Sequence, residues 1–315
     1  MAREPLFFQP DFKERIWGGS RLTTFGYTIP SNRTGECWAF AAHSNGQSVV
    51  KHGEYQGKTL GQLWENHREI FGRMEGDCFP LLTKILDADQ DLSVQVHPDD
   101  DYAFHFENGE LGKTECWYII DCEEGAEIIY GHHAQTKEEF ANMINQGKWT
   151  QLLRRVPVKP GDFFYVPSGT LHAIGKGIVI LETQQNSDTT YRVYDYDRRD
   201  HSGNLRELHV EQSIAVTTVP SIDPVFNQAV RSLEGLNITT FVQAEYFTVH
   251  KWELNGKTVW NQNEAFELVS VLQGQGVIRV GHQEYFFKKG DQILLPFELG
   301  EFTIEGTAEM IVSHV

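Results

Sequence analysis

Two histidines, a carboxylate and an amide stand in strand-like segments of this chain where one metal ion could gather them. In Leu92-Ser93-Val94-Gln95-Val96-His97-Pro98, strand alternation sets Leu92, Val94 and Val96 on one face and Ser93, Gln95 and His97 on the other. The same rule puts Lys113, Glu115 and Trp117 together in Lys113-Thr114-Glu115-Cys116-Trp117-Tyr118. A third segment, Gly161-x5-Pro167-x-Gly169-x2-His172, ends in a histidine after the turn Pro167-Ser168-Gly169-Thr170. For any one of the 13 histidines a packing role is the better account. As a set on separate strands of a β-barrel, His97, Glu115 and His172 form a facial group of metal ligands with positions open for substrate, and Gln95 can add a fourth oxygen ligand.

The elements that must position these residues are mostly strands. Helical periodicity is plain only over residues 59–73, 136–154 and 206–216. The remainder is short runs rich in Val, Ile, Phe and Tyr between Gly, Asp, Asn and Pro, the pattern of an antiparallel β protein. Thr217 to Pro224 carries two prolines and no periodicity, so the chain divides near residue 225, into 1–225 with the helical segments and 226–315. The halves share a weak repeat: Val158-Lys159-Pro160-Gly161-Asp162 leads to Pro167 as Phe287-Lys288-Lys289-Gly290-Asp291 leads to Pro296. In each, Gly-Asp makes a tight turn and proline closes the strand because it cannot donate to the ladder. The run Asp99-Asp100-Asp101 reads as a solvated turn.

At 315 residues, 40% hydrophobic and 23% charged, the chain has room for two cores. A net charge of −17 repels phosphate backbones and anionic lipid, so neither nucleic acid nor a membrane is an expected partner. A small anionic substrate fits if a few basic residues face one cleft. No apolar run approaches the roughly 20 residues of a membrane helix, and the first residues show no secretory pattern. The four cysteines form no C-x-x-C pair, which suits reduced packing residues and a cytoplasmic chain. Phosphate-binding GKS/T loops, Gly-rich dinucleotide fingerprints and G-x-S-x-G elbows are missing.

The segment Gly161 to His172 resembles the second motif of the cupin superfamily, whose members are small double-sheet jelly rolls. Gln95-x-His97, the long insertion before Glu115, and Lys113-Thr114-Glu115-Cys116-Trp117-Tyr118 together resemble the type I phosphomannose isomerases, zinc-dependent cupins. Trp17-Gly18-Gly19, Gly35-Glu36-Cys37-Trp38 and Thr190-Tyr191-Arg192-Val193-Tyr194-Asp195-Tyr196 extend the match over most of residues 1–200. The resemblance implies a mainly β chain of cupin jelly rolls with one Zn2+ on Gln95, His97, Glu115 and His172; residues 226–315 read as a second, degenerate roll without metal, because Phe297 to Phe302 places apolar or acidic residues where the first has Gly169 and His172. It implies aldose–ketose isomerisation of mannose 6-phosphate and fructose 6-phosphate through an enediol, with the phosphorylated sugar as the small-molecule partner.

By the same resemblance, Arg192 would grip an anionic or developing oxyanion group, and Lys113 would sit by the substrate with its pKa lowered by the metal. Glu182 would be an inward-pointing base or a surface carboxylate ending Ile178 to Leu181. Ser93 and Lys84 would contact phosphate, with a solvated strand residue as the alternative for Lys84. Lys113, Glu182 and a metal-bound hydroxide all remain candidates for the base. An iron-dependent cupin dioxygenase and a non-enzymatic sugar-binding cupin are the alternatives, the first because it also uses two histidines and a carboxylate.

Overall fold

Alternation decides how the strands stack. In a computed structural model, which describes residues 4–199 and 203–315, the strands Leu81–Ala88, Glu115–Cys122 and Ile178–Gln185 lie side by side in a six-stranded antiparallel sheet. Leu86, Trp117, Ile119, Ile178 and Ile180 point to one face, into a core shared with Ile128 and Tyr130 of a second, five-stranded sheet and with Ile174 just beyond one of its strands. Ile85, Cys116, Tyr118, Val179 and Leu181 point to the other, where they meet Phe241, Leu268 and Leu294 from the C-terminal part of the chain. Burial on both faces explains why Ile178-Val179-Ile180-Leu181 is a continuous apolar run.

The five-stranded sheet runs in the order Leu153–Pro157, Glu127–His132, His172–Ala173, Val94–Val96, Tyr191–Tyr194. With the six-stranded sheet it forms the first jelly roll. The seven C-terminal strands, from Ala229–Leu233 to Gly300–His314, make most of a nine-stranded sheet with its own core around Trp252, Ile293 and Phe302. The chain's first strand, Leu6–Gln9, pairs there with Gln292–Pro296, and Val49–Val50 follows it at the edge, so the two units share strands.

The helices are shorter than the periodicity predicts. Residues 59–73 give Leu60–Asn66, opened by a Thr59 and Gln62 capping box, and then a 3₁₀ turn, Arg68–Phe71. Within 136–154, Lys137–Asn145 stops before Gly147, whose φ is 63°; a single turn Trp149–Leu152 follows, and Leu153 already belongs to a strand. Of residues 206–216 only Val210–Val216 is helical. The reading of Asp99-Asp100-Asp101 as a turn is corrected: Asp99 caps a helix, Asp100–Phe106, by accepting from the Tyr102 N–H. Acidic residues there offset the helix dipole, which accounts for the cluster without a cation. Lys113 precedes the strand predicted to contain it, which starts at Glu115.

Candidate metal centre

Register brings the donors together. Across the five-stranded sheet His172 pairs with Gln95 and Gln95 with Arg192, a row over three strands, with Ser93 and His97 two residues either side of Gln95. Across the six-stranded sheet Trp117, Glu182, Lys84 and Trp38 form another row. The inner faces of the two jelly-roll sheets therefore carry every residue singled out in the sequence except Lys113, which the lead-in to Glu115 supplies.

His97 Nε2 lies 3.3 Å from Glu115 Oε2, and His172 Nε2 lies 3.4 Å from Glu115 Oε1. Ligand atoms of the three all fall within 4.8 Å of one another, and all three side chains are buried. The imidazoles are aimed from behind: Nδ1 of His97 donates to the Thr189 carbonyl and Nδ1 of His172 to the Thr170 carbonyl, each at 2.8 Å. That fixes the tautomer and turns both Nε2 lone pairs inward. Burial, with the Lys113 charge, lowers His97 to about 3, and burial lowers His172 as well, so both rings are neutral as ligands must be. His97 Nε2 is buried without a hydrogen-bond partner, and Glu115 Oε2 beside it is met only by the Lys113 ammonium. A buried imidazole lone pair with no donor, aimed at a carboxylate that a second imidazole also faces, is costly unless a cation lies among them, so the residues fit a divalent metal. Gln95 Nε2 is 3.4 Å from His172 Nε2, which places the amide at the edge of this group.

A cavity of about 320 Å³ lies beside this group, lined by its neighbours Gln95 and Lys113 and by Ser93, Lys84, Glu182 and Arg192 among others. Glu182 points inward, its carboxylate buried and 3.4 Å from Lys84 Nζ. The Trp117 indole N–H donates to both Glu115 (3.0 Å) and Glu182 (3.3 Å). Burial and the neighbouring Glu115 raise the Glu182 pKa. Lys84 is 4% exposed, so it is no solvated strand residue. Lys113 Nζ is 3.2 Å from Glu115 Oε2. Burial alone would lower Lys113, but Glu115 and Glu182 hold it above the usual lysine value in the metal-free chain, opposite to the shift expected beside a cation. Although burial would raise Glu115, Lys113 and the two imidazoles keep it well below the carboxylate range. Arg192 makes no side-chain ion pair among the described residues; burial and the Arg206 charge lower its pKa.

Sequence reasoning missed part of the lining. Arg15 grips Glu36 through two nitrogens, at 3.0 and 2.9 Å, and Trp38 Nε1 donates to the same carboxylate at 2.7 Å. Arg206, held by Asp195, and Asp188 complete the wall. Glu36 and Trp38 stood in a segment marked by resemblance; Arg15 and Arg206 carried no signal, since a lone arginine says nothing of which cleft it faces.

Two facing antiparallel sheets with imidazole and carboxylate donors turned into the space between them define a metal-binding cupin. Residues 6–120 match the family description "Phosphomannose isomerase type I, catalytic domain", and residues 237–315 match "Mannose-6-phosphate isomerase, cupin domain". The chain is 65% identical, over the whole of both chains, to mannose-6-phosphate isomerase ManA of Bacillus subtilis. A crystal structure of a mannose 6-phosphate isomerase from Bacillus subtilis superposes with a TM-score of 0.98 at 56% identity, covering 99% of this chain and all of that one. A zinc-bound mannose 6-phosphate isomerase shares the fold, with a TM-score of 0.81 at 16% identity and 99% of each chain covered. This chain belongs to the type I mannose-6-phosphate isomerase family, aldose–ketose isomerases of mainly β, cupin architecture. That membership favours the isomerase over both alternatives.

Proposed function

We propose that this chain interconverts mannose 6-phosphate and fructose 6-phosphate on one zinc ion held by His97, Glu115 and His172, with Gln95 beside it. The single observation that carries the reading is the convergence of His97 Nε2, buried without a hydrogen-bond partner, with Glu115 and His172, beside a cleft lined by Arg15, Lys84, Lys113, Arg192 and Arg206. Bound there, the metal would supply Lewis-acid polarisation of the sugar carbonyl. Glu182, its pKa raised by burial and Glu115, takes the C2 proton of the aldose and returns it to C1 by way of an enediol. Lys113, its ammonium 3.2 Å from Glu115, gives a proton to O1 as the enediol forms and takes one back from O2 as the ketone forms. Arg192, beside Gln95 in register, grips the developing oxyanion with its planar fork. Ser93 and Lys84 contact the phosphate, and Arg15 and Arg206 add positive charge that reverses the field of an otherwise acidic chain.

The division near residue 225, with residues 226–315 as a metal-free cupin, belongs to the same reading. So does cytoplasmic residence, supported by four free cysteines; no helix among the described residues is long and apolar enough to cross a membrane. The deciding assay incubates metal-replete protein with mannose 6-phosphate without oxygen. Fructose 6-phosphate should appear; product that forms only with ferrous iron and oxygen would overturn the assignment.

A further inference from the structure

The acidic run that opens the helix Asp100–Phe106 is tied to the opposite β unit. Tyr246 sits in the tight turn between Leu236–Gln243 and Thr248–Gln262, closed by the Ala244 N–H donating to the Phe247 carbonyl at 3.0 Å. Its hydroxyl donates to Asp100 Oδ2 at 2.8 Å. Asp100 Oδ1 accepts from the Gly112 N–H at 2.7 Å and from Gln185 Nε2 at 3.0 Å. Gln185 Oε1 in turn accepts from the Thr114 N–H at 2.8 Å. With the Lys113 N–H donating to the Pro98 carbonyl at 3.0 Å, three consecutive backbone donors are held, two of them by Asp100 and Gln185.

The approach is close enough to dictate sequence. A Cβ on Gly112 would lie 2.5 Å from both Asp100 N and Asp99 C, so only glycine lets the two backbones meet there. What those held amides deliver to the cleft is Lys113 and Glu115. A hydroxyl, a carboxylate and an amide in unbroken hydrogen-bond contact form a network in which each member is satisfied only while the others are present.

We propose that Tyr246 is a positioning residue: through Asp100 and Gln185 its hydroxyl fixes backbone 112–114 and so the aim of Lys113 and Glu115 in the cleft. The inference rests on the reading of His97, Glu115 and His172 as a metal centre, and it gives the second β unit a task at a site to which it contributes no ligand. Misplacement of a reacting group by about 1 Å costs on the order of 100-fold in rate, so a loosened segment should lower kcat more than KM.

Tyr246→Phe removes the hydroxyl alone. Hydrogen exchange at the Gly112 and Thr114 amides should speed up, zinc should pass faster to a chelator, and kcat should fall about tenfold with KM nearly unchanged, a fraction of the full misplacement cost. Asp100→Asn should act in the same direction, and Tyr246→Phe should add nothing to it, as expected for members of one network. Tyr118→Phe is the control, since it deletes a different bond between the units, from Tyr118 to Glu309 at 2.9 Å, and should leave exchange at 112 and 114 unchanged. Unaltered exchange in Tyr246→Phe, or an equal increase in Tyr118→Phe, would overturn the proposal. If the chain lacked isomerase activity, exchange and zinc release would still report the coupling, so the two readings fail separately.

Discussion

The two β units make the same turn and put it to different use. In one, the Lys159 N–H donates to Asp162 Oδ2 at 2.9 Å and Gly161 takes φ 92°; in the other, the Lys288 N–H donates to Asp291 Oδ2 at 2.9 Å and Gly290 takes φ 89°. The strand after each turn runs beside a buried carboxylate, Val166 opposite Glu115 and Leu295 opposite Glu267. An indole N–H donates to each acid, Trp117 to Glu115 at 3.0 Å and Trp260 to Glu267 at 3.2 Å. There the likeness ends. Five residues past Pro167 stands His172; five past Pro296 stands Glu301, exposed. Gly169, at φ 80°, has Glu298 at φ 56° in its place, so the left-handed step survives the loss of the glycine.

The difference separates what a fold needs from what a site needs. Turn hydrogen bonds and alternating apolar faces recur in both units because both must close a sheet. Among the described residues, a converging group of imidazole and carboxylate donors occurs only in the first unit. Charge follows the same division. Glu115, beside Lys113, is held ionised, whereas burial, with Glu264 adding to it, pushes Glu267 up to about 8 despite the Trp260 bond.

The largest effect expected is at His172. His172→Ala removes one of three ligands, and metal affinity should fall by more than the roughly 10- to 100-fold typical of losing a residue that only orients a ligand, taking isomerase turnover with it. The fold should persist, because the same turn stands without a histidine in the second unit; melting temperatures with and without chelator should then coincide. Near-normal turnover without bound metal would break the comparison. Next in size, Arg192→Lys keeps a charge but loses the fork, and should lower kcat/KM about 10- to 100-fold, the scale of one or two charge-assisted hydrogen bonds, with stability unchanged.

Glu267 gives a pH test. Its pKa is raised in the folded chain, so the folded state binds more protons than the unfolded state between the ordinary carboxylate range and about 8. Its contribution to stability is therefore full below that window and lost as pH rises through about 8. Glu267→Gln keeps an acceptor for Trp260 and should remove that alkaline loss, worth on the order of a few kcal/mol at pH 9 by linkage, as read from urea unfolding at pH 5 and pH 9. Equal pH dependence in both proteins would mean that Glu267 ionises freely. Smallest of all, replacing His250, His282 and His314 together should leave zinc at about one per chain, the stoichiometry of a single site, by metal analysis.

Much of the site was legible because strands have a period of two. Gln95 and His97, and Glu115 and Trp117, each share a face by count alone, and the spacing from Gly161 to His172 marked a turn delivering a histidine. Glu182 and Lys84 were readable only as alternatives, since an acid or a lysine in an apolar run looks the same whether it faces solvent or a cleft. The helix at Asp100–Phe106 went unread because capping acids and a solvated acidic turn share one composition.

What the sequence determined by itself was local: turn chemistry, face alternation, the types of donor available and the family they match. Which carboxylate stays charged, which arginine is left unpaired, and how Tyr246 comes to hold a segment more than a hundred residues away were decided by the tertiary structure. Desolvation and Coulomb terms depend on distances across sheets, and chain order does not encode those distances until the strands have paired.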